Sequence, residues 1–281
     1  MAKATPKSLG YHMPAEWEKQ GAVWLSWPHN KETWPDILEE VEDSYVQFVK
    51  ALHTGQKISI LVNDEDTKKR TIAKLNKEIL NLSKVAFYLI KNQDAWIRDY
   101  GPIFIVNPAA KQKIAMVKWV FNAWGNKYED LKQDNSIPYD INKHLKLPLF
   151  EPNIVLEGGS IEVNGSGTLL TTEQCLPNKN RNPDLKKEEI EIYLKDYLNV
   201  SNILWLKEGI IGDDTDGHID DISRFVNQNT VVCSFEEDKK DGNYKPLKEA
   251  YELLKGMRDE RGNKLSVVKL PMPGFVADKE G

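Results

Sequence analysis

Residues 160–172, Ser160-Ile161-Glu162-Val163-Asn164-Gly165-Ser166-Gly167-Thr168-Leu169-Leu170-Thr171-Thr172, read as a β-hairpin. Two β-forming runs, 160–163 and 168–172, flank an Asn-Gly pair, the dipeptide that most readily supplies the positive φ a tight turn demands. Past Pro183, residues 184–198 carry Ile190, Leu194, Tyr197 and Leu198 at helical spacing, and 203–206 is a short apolar strand. Strand, strand, helix, strand is therefore one unit. It recurs downstream as strand 222–226, a turn at 227–229, strand 230–235, helix 246–258 and strand 265–270, with Pro246 where a first helical turn tolerates it. Upstream, strands are expected at 22–27, 57–62, 85–90, 103–106, 114–120 and 154–156, and helices at 36–53 and 66–82. The fold class is α/β.

The loops that follow three of these strands carry the polar chemistry. Asp94 follows 85–90, Glu157 follows 154–156 and His218 follows 203–206, at separations of 63 and 61 residues. A period of about 60 residues signals a repeated supersecondary unit, whose equivalent loops gather at one end of a radial or stacked array. A doubly wound sheet also alternates strands and helices, and is the competing architecture. No linker or low-complexity segment divides the 281 residues, so a single domain over 1–281 is expected.

Composition narrows the function. With 40% hydrophobic and 29% charged residues and a net charge of −5, the chain reads as a soluble globular protein, and not as a general nucleic-acid binder. Met1–Gly10 has no apolar core and no run reaches membrane-spanning length, so the default compartment is the cytoplasm with no membrane partner. Cys175 and Cys233 are the only cysteines and form no CxxC pair, which argues against a disulfide framework or a cysteine-rich zinc site.

Residues 212–221, Gly-Asp-Asp-Thr-Asp-Gly-His-Ile-Asp-Asp, place five Asp and one of five His in ten positions. Turns collect Asp for local hydrogen bonding, so a solvated acidic loop is one reading. The other is a site for a cationic substrate with proton transfer. If Gly217 opens a strand, His218 and Asp220 share a face. A His–Asp metal pair also fits that spacing, but no second histidine stands at ligand-like distance. Asp94 lies just past a strand end, in Asn92-Gln93-Asp94-Ala95-Trp96-Ile97-Arg98-Asp99-Tyr100-Gly101-Pro102, where Arg98 and Asp99 read as a structural ion pair and Trp96 as core or site lining. Glu157 precedes Gly158-Gly159, which permit a sharp turn or a close approach. Carboxylates meet a planar guanidinium in a forked geometry, and attack at its central carbon needs a nucleophile, usually a thiolate, and a proton shuttle. Asp94 and Asp220 are the expected grip and His218 the shuttle.

These segments, together with Gly10–Trp27 and Thr171–Pro183, resemble the agmatine deiminase branch of the peptidylarginine-deiminase-like family over nearly the whole chain. The resemblance implies a pentein fold, a pseudo-five-fold α/β propeller of ββαβ units. It implies a hydrolase that converts agmatine to N-carbamoylputrescine and ammonia through a Cys-amidino intermediate, in polyamine (putrescine) biosynthesis. It assigns Asp94 and Asp220 to the guanidinium, His218 to acid–base work, Asp214 to the amine end, and Glu157 and Trp96 to the lining, with no metal or organic cofactor. The partner implied is a small guanidino compound; oligomeric state is open.

One departure stands out. The family's nucleophile is a cysteine in a G-G-G-x-x-H-C motif near the C-terminus, and this sequence has none. Cys175 lies in a different motif, T-E-Q-C-L, and Cys233 sits mid-strand. The expectation is a shortened form of a longer enzyme, with the fourth equivalent loop due just past 265–270 and one further unit missing. Deimination of peptidyl-arginine, a catalytically inactive guanidinium-binding protein and a metallohydrolase are the alternatives.

Overall fold

Short strands with a helix between them can bury apolar faces only by closing small sheets locally, and the chain does this four times. The computed structural model describes residues 4–79 and 81–274. In the first unit β1 (Ala22–Ser26), α1 (Leu38–Leu52), β2 (Lys57–Val62), α2 (Glu65–Glu78) and β3 (Val85–Leu89) form an all-parallel sheet in the order β1-β2-β3. A short helix α3 (Ile97–Tyr100) leads into β4 (Ile103–Val106), β5 (Ile114–Val117), α4 (Ala123–Asn126), α5 (Ile137–Leu145) and β6 (Leu149–Phe150). Next come β7 (Glu162–Val163), β8 (Thr168–Thr172), α6 (Lys187–Leu198) and β9 (Asn202–Leu206), and then β10 (Ser223–Phe225), β11 (Thr230–Phe235), α7 (Tyr244–Gly256) and β12 (Ser266–Pro271). In each of these three units an antiparallel hairpin is followed by a crossover to a parallel third strand. The ββαβ grammar is thus real, and the first unit is its all-parallel variant.

The turns work as the residues suggest. Gly165 and Gly167 hold φ of 71° and 124°, and Asn164 Oδ1 accepts from the N–H groups of Ser166 and Thr168, 2.9 Å each. Asn227 Oδ1 plays the same part for Asn229 and Thr230. Each crossover helix buries its apolar stripe on its own sheet. Val46, Val49 and Leu75 pack on Ile58, Ile60 and Val62; Ile190, Leu194 and Leu198 pack with Leu169; Leu247, Ala250 and Leu254 pack with Val231 and Cys233. Cys233 is therefore a small core side chain.

Three expectations need correction. The strand placed at 154–156 is not the third strand of its sheet; Leu149–Phe150 takes that position, and Val155 makes only an isolated parallel bridge to Val120. Pro152 has no N–H to give the ladder and Asn153 turns to a φ of 62°, so the run 149–156 pairs in two broken pieces. For the same reason β5 ends at Val117 rather than at 120. Finally α5, with Pro138 in its first turn and Ile137 and Ile141 buried, was not anticipated because nine residues give too little periodicity to read. The fourth equivalent loop, expected after β12, runs into residues 275–281, which lie outside the described residues.

Candidate active site

The loops leaving β3 and β9 meet at one open cleft of about 1510 Å³. Asp94, Trp96, Asp214, His218 and Asp220 all line it, joined by Arg98, Asp99, Asp213, Asp221 and Tyr128. Glu157, from the loop after β6, does not reach the wall: it is fully buried behind His218.

Asp94 is held in place before any ligand arrives. Its Oδ1 accepts from Ala95 N at 2.7 Å, its Oδ2 accepts from the Thr33 hydroxyl, and Tyr100 Oη donates to its carbonyl at 2.7 Å. The loop itself hangs on a second carboxylate, Asp134, which accepts from Gln93 N at 2.7 Å and Asp94 N at 3.2 Å. Burial pushes the Asp134 carboxyl up from 3.8 to about 7, against the pull of these two N–H donors. The folded protein thus holds this proton more tightly than the unfolded chain, so stability falls as pH rises from 3.8 through about 7. Asp134→Asn removes that ionisation. The melting temperature of the variant relative to the parent is expected to climb steadily between pH 5 and pH 8; a difference that stays flat with pH would sink this account.

His218 does not stand on a strand. Residues Ile219–Asp221 form a single 3-10 turn, because the Ile219 carbonyl takes the Ile222 N–H and curls the chain before β10 can begin. The turn still brings the expected neighbours together: His218 Nδ1 lies 3.7 Å from Asp99 Oδ1 and 3.9 Å from Asp220 Oδ1. Arg98 and Asp99 are not an ion pair. Arg98 Nε faces Asp220 Oδ2 at 3.3 Å and its other end reaches Glu16, whereas Asp99 accepts from Gly159 N at 2.9 Å and Trp124 Nε1 at 3.0 Å. Successive residues on a helical turn point to different sides, which a reading of the sequence pair alone misses.

The two glycines after Glu157 are explained by crowding rather than by φ. A Cβ on Gly159 would stand 2.4 Å from His218 Nδ1, 2.8 Å from Asp99 Oδ1 and 3.0 Å from Asp220 Oδ1. On Gly158 it would meet the Arg98 carbonyl oxygen at 2.0 Å.

Burial dominates the site's electrostatics. It lowers the His218 pKa below the ordinary value despite Glu157 and Asp220, so a neutral imidazole is favoured. It raises the carboxyls of Asp99 and Asp220, opposed by Gly159 N–H and Trp124 for the first and by Arg98 for the second. The thiol of Cys175, also behind His218, is pushed well up by burial and by Glu157. Glu157, Cys175 and His218 offer three ligand atoms within 4.8 Å of one another, the one such group among the described residues able to hold a metal ion. His218 belongs to that group, whereas Asp220, the other half of the metal pair considered from sequence, does not.

The acidic segment divides its labour. Asp213 binds the N–H groups of Thr215 and Gly217 at 2.8 and 2.7 Å, the local turn chemistry of the bland reading. Asp216 is taken by Arg181 and Lys127. Asp214 and Asp221 keep their carboxylates exposed on the cleft, and Tyr128 Oη donates to that of Asp214 at 2.6 Å. Trp96, 40% exposed, lies between Trp34 and Trp124, with ring centroids 5.6 and 6.5 Å away. Asp99, Asp134, Tyr128 and Arg181 were missed in the sequence. Asp99 was read as a pair with its neighbour, and Arg181 stood inside a quoted segment without a role.

This arrangement, four three-stranded sheets with the polar loops of several units at one cleft, is the pentein fold of the guanidino-modifying enzymes. The chain belongs to the Porphyromonas-type peptidyl-arginine deiminase family, whose model matches residues 12–281. It is 40% identical over 271 residues to a Legionella pneumophila protein provisionally named an agmatine deiminase, covering 95% of this chain and 75% of that one. It is 36% identical over 289 residues to the agmatine deiminase of Medicago truncatula, covering 98% and 75%. The solved agmatine deiminase of Enterococcus faecalis superposes with a TM-score of 0.91 at 35% identity, covering 100% of this chain and 76% of that one.

Proposed function

We propose that the cleft takes agmatine and serves its hydrolysis to N-carbamoylputrescine and ammonia. The observation that carries this is the convergence of Asp94, His218 and Asp220 in one cleft, with the exposed Asp214 lining the same cleft. A guanidinium presents planar N–H donors to carboxylates, and an ammonium on a short alkyl chain calls for a second acid some distance away. Names of similar proteins in several organisms support the choice of agmatine. Peptidyl-arginine would replace that ammonium by a polypeptide backbone, which an acidic rim does not favour.

In the proposed sequence a neutral His218 takes the proton of a thiol, and the thiolate attacks the guanidinium carbon. A C–N bond breaks, and the nitrogen leaves as ammonia with the proton that His218 returns. Water then gives His218 a proton as its oxygen displaces sulfur, and the thiol is restored. Neither cysteine of these 281 residues serves: Cys175 and Cys233 are both fully buried and both thiols are pushed up. In this proposal the thiol belongs to a part of the enzyme beyond these residues, and the binding and proton-transfer groups belong to this chain. An intracellular setting goes with it, favoured by two cysteines left as free thiols.

The test is ammonia and N-carbamoylputrescine release from agmatine by the full-length gene product, before and after exhaustive chelation. Release that survives chelation is expected. Turnover of peptidyl-arginine but not agmatine would move the protein to the protein-modifying branch, and agmatine binding without any release would make it a binding protein. Loss of activity on chelation would restore the metallohydrolase.

A further inference from the structure

Arg181 is a cation enclosed behind the cleft, with no exposed side-chain surface. Its planar guanidinium is used in every direction. Nε donates to Glu157 Oε1 at 2.6 Å, Nη1 to Asp216 Oδ2 at 2.7 Å and Asn180 Oδ1 at 2.8 Å, and Nη2 to the Thr215 carbonyl at 2.9 Å. The first contact ends on a residue that stands behind the proton shuttle. Glu157 Oε2 and His218 Nε2 are both buried and without a hydrogen-bond partner, and a Glu157 carboxylate oxygen and a His218 ring nitrogen lie within 4.8 Å of each other. Two of the others end on the loop that carries Asp214, and the third on the neighbouring Asn180. In that loop Asp216 holds a φ of 62°, costly for a residue with a side chain, and it is secured by Arg181, by Asn180 Nδ2 at 3.0 Å and by Lys127 Nζ at 2.8 Å. Space for the guanidinium is kept by Gly125, where a Cβ would lie 2.6 Å from Arg181 Nη1. Arg181 itself is not on the cleft wall.

We propose that Arg181 is a positioning residue that ties the two ends of the cleft together, fixing the Glu157 carboxylate behind His218 with one edge and the Thr215–Asp216 loop with the other. The second half rests on the reading that the cleft takes agmatine; the first half does not. Only a rigid fork can serve both, since a lysine carries the same charge on a single point. The two halves therefore separate by substitution. Arg181→Met removes charge and fork, Arg181→Lys keeps the charge alone, and Asp216→Asn weakens only the loop edge.

The first readout is the pH titration of the Glu157 side-chain carboxyl carbon by NMR, assigned with Glu157→Gln. The second is the calorimetric affinity for agmatine against that for methylguanidine, which lacks the amine end. In Arg181→Met the Glu157 midpoint is expected to rise by about two pH units, the scale of losing an adjacent opposite charge. In Arg181→Lys and Asp216→Asn it stays near the parent value, while agmatine binds about tenfold more weakly and methylguanidine unchanged, the size of one lost loop restraint. If no variant moves the midpoint or the affinity ratio, and only melting temperatures fall, Arg181 is structural and the proposal is overturned. If Arg181→Met does not fold, Arg181→Lys and Asp216→Asn decide the loop half, and Arg181→Gln, which removes the charge but keeps a polar head, decides the Glu157 half. A parent protein that binds neither ligand refutes the agmatine reading, while the Glu157 titration still decides the first half.

Discussion

His218→Asn is expected to lower agmatine turnover by the full-length gene product about a thousandfold, within the range for losing a general acid–base, while leaving the dissociation constant for agmatine within about threefold. The imidazole lies within 3.9 Å of Asp99 and Asp220 on the cleft wall and can both accept and return a proton near neutral pH. Burial favours its neutral form, as the first proton transfer requires. The acids proposed to hold the guanidinium remain, and Asp94 keeps its contacts to Thr33, Ala95 and Tyr100, none of which involve the histidine. Asparagine fills part of the same buried space, so collapse of the loop does not confuse the result. Initial rates and calorimetry on the same preparation check the split. Turnover above about a tenth of the parent's would exclude His218 as the shuttle, because general acid–base catalysis contributes at least about a hundredfold.

Gly159→Ala is the second large effect, and it adds only one methyl group. That methyl would lie inside contact distance of His218, Asp99 and Asp220 together, groups whose positions are set by two separate turns of the chain. Cores resist such insertion at a cost of about 1–3 kcal/mol, because neighbours must leave their rotamers. Here the displaced neighbours are the proposed catalytic groups, so kcat/KM is expected to fall by more than about a hundredfold, the penalty for a misplacement near 1 Å. Gly21→Ala is the control, since its added methyl meets open space. Should Gly159→Ala retain parental kcat/KM, the close approach of these three side chains would not describe the working site.

Much of the fold was legible because the repeat is written in short elements with strong punctuation. Lys57–Val62, Ile103–Val106, Thr168–Thr172 and Thr230–Phe235 begin and end where their β-branched runs do. The stretch 118–156 was less so. There a broken ladder around Pro152 and Asn153, a short helix, and the left-handed residues Ala123, Trp124 and Asn126 leave no periodicity to follow. The lining of the candidate cleft was legible at the residues that end on strand-following loops, namely Asp94, Asp214, His218 and Asp220. It was illegible where a side chain works at a distance in sequence. Asp134 holds Asp94, 40 residues upstream, and Arg181 reaches both Glu157, 24 residues back, and Asp216, 35 residues on. Such pairings depend on how units dock, which no local window contains.

Each sheet is closed by strands of one unit alone, whereas the cleft is walled by loops from several units. Sheets of this kind acquire their hydrogen bonds independently, so the junctions between them form the softer level of the structure. A bound cation that contacts loops of two units acts there as a removable rivet. It adds little to the protection of any strand amide and slows the opening of one unit away from the next. Rigidity between the units is then a property that a bound ligand of this kind confers for as long as it stays.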